Sequence, residues 1–386
     1  MQNPTNKRAF RTKLLVWFKQ FQRDLPWRRT KDPYRIWISE IMLQQTRVAA
    51  VIPYYERFLN RFPNVHALAE APQAGVLQFW AGLGYYSRAR NLQKAAQQIV
   101  AKHDGLFPSN LQDALALPGI GSYTAAAVLS IAYGERLAVL DGNVARVLAR
   151  LHGVRGDLRE PRRWSTLQES ANSLLATREP GNWNQAMMDL GATLCTPQSP
   201  QCLLCPVAEA CEARRLGIAD SIPQKHTKRE PVPVSLAAAV FIDHVGCTLL
   251  LLPPEHATDL RKLAAVDHVP TLVSRMWHFP TISTRKQPKL DLTLHLRKIF
   301  GATKELELTP LPPVRHTVTY RNIRVFPFLV RCNILPRLAG SKTLPLVDLS
   351  SLPISGLTRK VATKALSAAD FDASPRKMKP TSEHSI

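Results

Sequence analysis

Apolar residues recur at helical spacing through most of the first 215 positions. Phe10, Leu14, Leu15, Phe18 and Phe21 fall three or four apart and predict a first helix with one greasy stripe. Asp32-Pro33 offers a cap and a first-turn proline for a second helix over 33–45. Further helices are expected near 47–62, 72–80, 86–102, 111–116, 122–133, 143–152, 163–177 and 183–194, joined by short turns rich in Pro, Gly and Asn. The pattern changes after 215. Residues 218–234 mix Pro223, Pro231 and Pro233 with Lys225, Lys228 and Arg229 and read as a linker. Beyond it, 235–242 and 247–252 read as strands around a turn at 243–246, and 317–330 carries β-branched and aromatic residues in partial alternation. Residues 292–300 have helical spacing. The expected architecture is a mainly α region over 5–217, then a smaller α+β domain over 235–350, with 374–386 polar, basic and without fixed structure.

Charge sharpens this picture. Lys plus Arg number 51 against 29 Asp plus Glu, a net +22 that favours a polyanionic partner without choosing among DNA, RNA, an acidic protein or an anionic membrane. No apolar run approaches the ~20 residues of a spanning helix. The first ten residues lack the hydrophobic block of a secretory signal. The expectation is a monomer in a reducing, cytoplasmic compartment, where six cysteines do not make a disulfide framework.

Four of those cysteines are clustered. Cys195, Cys202, Cys205 and Cys211 have the spacing C-x6-C-x2-C-x5-C, which can wrap one compact inorganic centre. Soft thiolates suit zinc or an iron–sulfur cube, and ligand type alone leaves both open. Cys247 and Cys332 read as core residues of the strand region. Leu117-Pro118-Gly119-Ile120-Gly121 separates two helical stretches; Pro118 stops the first, and the glycines permit a tight turn. It reads either as a plain helix–helix turn or as a helix mouth offering free N–H groups to an anion. Glu40 sits in Ile36-Trp37-Ile38-Ser39-Glu40-Ile41-Met42-Leu43, apolar nearly all round, where burial should raise its pKa and let it deliver a proton near neutral pH. A salt-bridged glutamate is the plain alternative. Asp141 precedes Gly142-Asn143 and a helical pattern, so a helix N-terminus should favour its charged form, whether as a simple cap or as the anion facing a cationic sugar.

Taken together these segments resemble one group of proteins. The cysteine spacing resembles the iron–sulfur loop of endonuclease III-like DNA glycosylases, and Leu-Pro-Gly-Ile-Gly followed by Thr124-Ala125 resembles their helix–hairpin–helix motif. Residues 33–48 and 140–150 are similar, nearly residue for residue, to the adenine DNA glycosylase family. The resemblance is strong over 9–216 and weak over 230–345. It implies a helix–hairpin–helix glycosylase fold with a [4Fe–4S] cluster on Cys195, Cys202, Cys205 and Cys211, plus a Nudix-like C-terminal domain. It further implies that Glu40 protonates adenine, that Asp141 stabilises the sugar cation, and that Tyr123 and Asn143 flank the nucleotide and hold Asp141. Tyr123 stands where lyase-competent relatives carry lysine, and a phenol forms no Schiff base, so hydrolysis without strand cleavage is expected. Gly119 and Gly121 would hold backbone phosphate, with further contacts at Arg214 and Arg215. Gln45 and Tyr85, within Gln44-Gln45-Thr46 and the segment 82–86, match the family's intercalating elements. Arg29 and Gln185 match residues near the extruded adenine. Trp277-His278-Phe279-Pro280 resembles a landmark of the second domain, and no acidic Nudix hydrolase box is visible. Val318-Thr319-Tyr320 stands where the family commonly has Phe-Ser-His in the hairpin that reads 8-oxoguanine, with Thr319 able to keep the hydroxyl contact and Tyr320 an aromatic surface. The implied partner is double-stranded DNA with adenine opposite 8-oxoguanine or guanine. A glycosylase for thymine opposite guanine, or a non-enzymatic iron–sulfur protein that binds DNA, are the alternatives; keeping both Glu40 and Asp141 argues against the last.

Overall fold

The computed structural model describes residues 6–224, 230–252, 276–300, 306–338 and 340–369. The tail expected at 374–386 and part of the expected linker, 225–229, lie outside these. The chain forms two compact units, Met1–Lys228 and Arg229–Ile386.

The first unit is helical. Helix α1 (Lys7–Phe21) is capped by Asn6, whose side chain accepts from the Ala9 N–H at 2.9 Å. Its stripe is narrower than the sequence pattern suggests: Phe10, Leu14 and Phe18 are buried, Leu15 is half-buried, and Phe21 is 60% exposed. Helix α2 (Pro33–Leu43) starts as expected, with Asp32 accepting from the Tyr34 N–H and Pro33 in the first turn. It ends two residues before the expected 45, because the chain turns out of the helix at Gln44 and Gln45 takes a left-handed φ of 57°. Then follow α3 (Val48–Arg61), α4 (Val65–Glu70), α5 (Gln73–Trp80), α6 (Ser87–Lys102), α7 (Leu111–Leu115) and α8 (Ser122–Val128). Helix α4 has no counterpart among the expected helices; its six residues are too few to show a period, and Asn64 caps it. Helix α8 widens into a π-type turn, Leu129–Tyr133, that stops at Gly134. Helices α9 (Gly142–Leu151), α10 (Pro161–Leu174), α11 (Pro180–Thr193) and α12 (Glu212–Arg215) complete the unit. Trp37, Trp80, Trp183, Phe18, Phe58 and Phe62 are among its largest fully buried side chains. Among the described residues, no helix is long and apolar enough to cross a membrane.

The second unit is a sheet between two helices. Strand β1 (Val232–Ile242) runs parallel to β6 (Arg321–Arg331), and β3 (Thr281–Ser283) pairs antiparallel with β1. Strands β4 (Leu308–Pro310) and β5 (Val314–Val318) both pair antiparallel with β6. A separate ladder joins β2 (Cys247–Leu251) to β7 (Ser341–Pro345). Strand β1 shows why a two-residue period matters. Leu236, Ala238, Val240 and Ile242 pack on one face with Leu357, Val361 and Ala365 of helix α14 (Gly356–Ala369). Ala237, Ala239 and Phe241 pack on the other with Leu292 and Leu296 of helix α13 (Pro288–Phe300). The expected strand at 317–330 is two strands joined at Thr319-Tyr320, and the unit runs beyond the expected limit of 350, since α14 supplies one side of its core.

Candidate active site

Helix α2 buries Tyr34, Ile36, Trp37, Ile38, Ser39, Ile41 and Met42 together with Glu40, which is 5% exposed. Glu40 faces a cavity of about 470 Å³, counted with its open mouth, shared with Leu25, Trp27, Arg28, Tyr123, Gln185 and Met188. Burial lifts the Glu40 carboxyl from 4.5 to about 7. A hydrogen bond from Tyr123 opposes that rise, nearby Asp141 reinforces it, and Arg28 opposes it. The Tyr123 hydroxyl donates to Glu40 Oε2 at 2.9 Å and lies 3.2 Å from Met188 Sδ. Its own pKa is held well above the usual phenol range, by burial first and then by the two carboxylates.

Asp141 caps α9. Its Oδ1 accepts from the Val144 N–H at 2.7 Å and its Oδ2 from Asn143 Nδ2 at 3.2 Å. Burial moves this carboxyl above its ordinary value, against the pull of the Val144 and Asn143 amides and of Arg146. The N–H groups at the helix mouth favour the charged form, as expected of this position, but burial outweighs them and the net shift is upward. The approach to Asp141 is fixed from α11: Asn184 accepts from the Val139 N–H and donates to Leu137 O and Ser130 Oγ. Gly191 of the same helix admits α9, since a Cβ there would meet Asn143 Cβ at 2.8 Å. Glu40, Tyr123, Asn143 and Asp141 are thus brought into one electrostatic neighbourhood by three separate stretches of chain.

The other expected base contacts divide. Gln185 lines the cavity, buried, with its amide donating to Gly181 O. Arg29 does not: it is exposed and pairs with Asp24. The arginines that line the cavity are Arg23 and Arg28, the latter carried by the three-residue turn Pro26–Arg28. Arg28 and Arg23 both pair with Asp189, which is 1% exposed, at 2.6 and 2.5 Å. Burial alone would raise the Asp189 carboxyl, but the two guanidiniums outweigh it and hold it below its ordinary value. A lone acid inside the apolar run Met187-Met188-Asp189-Leu190 was the signal available for this network.

Gln45 and Tyr85 are both exposed, and both hold left-handed backbones, with φ of 57° and 48°. Beneath them lies Arg88, 9% exposed, which the motifs did not single out. It donates to Ile41 O, Met42 O and Gln44 O at the end of α2, and to Thr46 Oγ1, Leu83 O and Gly84 O. Burial lowers its pKa to about 10, so it stays charged at neutral pH. In the turn between α7 and α8, Gly119 has φ of 80° and a Cβ there would meet Asn91 Cβ at 2.8 Å, whereas Gly121 is extended with open space beside it. In the second unit Thr319 is exposed with φ of 54°, its hydroxyl donating to Val318 O at 2.7 Å. The Arg321 guanidinium sits 5.0 Å from the Tyr320 ring centroid.

Cys195, Cys202, Cys205 and Cys211 ring one cavity with Leu194, Pro200, Ala208 and Ala219. The Arg150 guanidinium lies 3.3 Å from Cys195 Sγ and bonds Thr196 O. Burial pushes the Cys205 thiol up to about 12 and raises those of Cys202 and Cys211. Among the described residues, no three His, Cys, Asp or Glu side chains converge as ligands of one ion. Four soft sulfurs around an apolar hollow are a donor set suited to an iron–sulfur cluster. Of the two arginines expected to meet phosphate, Arg214 lines this cavity and Arg215 pairs with Glu212.

Residues 38–173 match the HhH-GPD superfamily of base excision DNA repair proteins. Over 216 residues the chain is 46% identical to adenine DNA glycosylase of Homo sapiens, a match covering 54% of this chain and 40% of that protein. Over 239 residues it is 39% identical to adenine DNA glycosylase of Buchnera aphidicola subsp. Acyrthosiphon pisum (strain APS), covering 62% of this chain and 68% of that one. The fold is also similar to a solved thermostable thymine-DNA glycosylase, with a TM-score of 0.50 and 30% identity over 54% of this chain and 97% of that one. The chain spans well under half of the human relative, and about two thirds of the Buchnera one. With this identity added to the shared helical fold, the chain belongs to the adenine DNA glycosylase family, within the HhH-GPD superfamily of base excision DNA repair proteins.

Proposed function

We propose that this protein hydrolyses the N-glycosidic bond of adenine mispaired with 8-oxoguanine or guanine in duplex DNA. The observation that carries the reading is a buried carboxyl group on an apolar helix, facing a cavity and joined through Tyr123 to the neighbourhood of a second carboxyl. A base enters such a cavity only when turned out of the stack, so Gln45 and Tyr85 act as wedges on the duplex. Trp27, Leu25 and Met188 supply apolar walls for a purine, while Gln185 and Arg28 offer polar groups to its edges. Glu40 delivers its proton to a ring nitrogen of adenine, making the base a better leaving group. Asp141, held at both oxygens, stabilises the oxocarbenium-like sugar, and water completes hydrolysis. Tyr123 offers no amine, so the sugar remains attached to an intact strand.

The cysteine ring fits a [4Fe–4S] cluster, which Cys195, Cys202, Cys205 and Cys211 would hold. Bound there, the cluster supplies a rigid cross-link for the loop after α11 and no step of the hydrolysis. Gly119 and Gly121 meet backbone phosphate through main-chain N–H groups. Thr319 and Tyr320, at the hairpin tip of a Nudix-like second unit, read the base opposite adenine. The protein acts as a monomer in the cytoplasm.

The test is a panel of duplexes holding adenine opposite 8-oxoguanine, guanine or thymine, and thymine opposite guanine, assayed for base release with and without alkali. Adenine release is expected from the first two, with strand breaks only after alkali. Release of thymine in preference to adenine would place the protein with thymine glycosylases, and binding without any release would leave a DNA-binding protein.

A further inference from the structure

Two stretches far apart in sequence, 44–46 and 83–85, each present an exposed side chain from a left-handed, non-glycine backbone. Such a conformation is strained for a residue with a Cβ and persists only where surroundings over-determine it. The surroundings here converge on one side chain. Resting on the glycosylase reading above, we propose that Arg88 is a positioning residue that holds Gln45 and Tyr85 in register, so that both engage the duplex together and turn a nucleotide toward Glu40.

One guanidinium nitrogen of Arg88 reaches Ile41 O, Met42 O and Gln44 O at 2.9, 2.9 and 2.5 Å; the other reaches Thr46 Oγ1, Leu83 O and Gly84 O at 3.2, 3.3 and 3.2 Å. Capping α2 needs only the first set. The second set ties the end of that helix to a different segment, and through α2 ties both wedges to the helix carrying Glu40. The guanidinium also stacks near the rings of Trp80 and Tyr85, with centroids 5.4 and 5.5 Å away. All six acceptors are neutral, so the charge serves hydrogen bonding and not an ion pair. Lysine, a point charge with three donors on one atom, cannot span both sets.

The experiment compares Arg88→Met and Arg88→Lys with wild type in single-turnover adenine release. One duplex has adenine opposite 8-oxoguanine; the other has adenine opposite an abasic analogue, where extrusion is cheap. Arg88→Met should lose about thirtyfold or more on the first duplex and within roughly threefold on the second. Arg88→Lys should show the same selective loss at smaller size, and it carries the test if the methionine variant fails to fold. A parallel arm places 2-aminopurine at the adenine position in a Glu40→Gln background, where fluorescence reports extrusion without cleavage. Adding Arg88→Met, or Arg88→Lys, should cut that signal severalfold. Equal losses on both duplexes, wild-type rates, or undiminished fluorescence would overturn the proposal. A wild-type protein inert on both duplexes would sink the glycosylase reading instead, and the fluorescence arm would still decide the role of Arg88.

Discussion

Burying one carboxyl group on an otherwise apolar helix has a thermodynamic consequence measurable without DNA. Glu40 has a folded pKa of about 7 against an ordinary 4.5. Between those values the folded chain binds more protons than the unfolded one, so stability falls as pH rises through the window. Below pH 4.5 the group is neutral in both states and costs nothing further; above about 7 the penalty is complete, roughly 3 kcal/mol from a shift of this size. Glu40→Gln should therefore stabilise the protein by up to roughly that amount at pH 8 and hardly at all at pH 4, read by denaturant unfolding. An equal effect at both pH values would mean that the carboxyl is not desolvated. Residues of this kind are legible in sequence because their neighbours are apolar on every side. Arg28 was not. It adjoins Arg29 in a single short turn, and one residue of phase decides which guanidinium enters the cavity. Arg88 was hidden for a related reason: nothing in Tyr86-Ser87-Arg88-Ala89-Arg90 marks which arginine the fold draws beneath two loops.

Among elements, the loop between α11 and α12 has little regular structure of its own. Its regular structure is a single short turn, Ala208–Ala210, and Leu203 and Leu204 are 88% and 68% exposed. Sulfur ligation would add to the hydrogen bonds that hold it, so Cys205→Ser should lower iron per chain and the visible absorbance of a cluster, and should make the loop more open to limited proteolysis. Full iron content with an intact loop would remove Cys205 from the ligand set. The cysteine spacing is what drew attention to this element, because four soft ligands packed so closely along the chain are suited to one bound inorganic centre. Helix α14 shows the opposite case. Its start carries a cap, Ser355 accepting from the Thr358 N–H at 3.0 Å, yet its place in the core depends on β1, more than a hundred residues earlier. Long helices with a clear period were legible; the six-residue α4 and the division of 317–330 into two strands depended on a local cap and on left-handed backbone at Thr319.

At the scale of the whole molecule, a net charge of +22 sets the expected response to salt. Affinity for duplex DNA should fall with a log–log slope of roughly −0.9 per phosphate contacted, and a flat response would rule out phosphate docking by the basic surface. The division into a helical unit and a sheet unit was legible because composition changes where periodicity does. The sheet order was not, since the parallel pairing of β1 with β6 joins segments some ninety residues apart. Local pattern carries no information about that partner.

The proposed chemistry turns on a proton held by Glu40 until an adenine arrives. Its most direct test is the pH dependence of single-turnover adenine release from a duplex with 8-oxoguanine opposite, for wild type and Glu40→Gln at saturating protein. The wild-type rate should fall about tenfold per pH unit above about 7, where Glu40 loses its proton, and Glu40→Gln should be slower by roughly 100-fold or more up to pH 7 and lack that fall, while binding the duplex as tightly. A Glu40→Gln protein releasing adenine at the wild-type rate, or a wild-type rate climbing through pH 8, would contradict it.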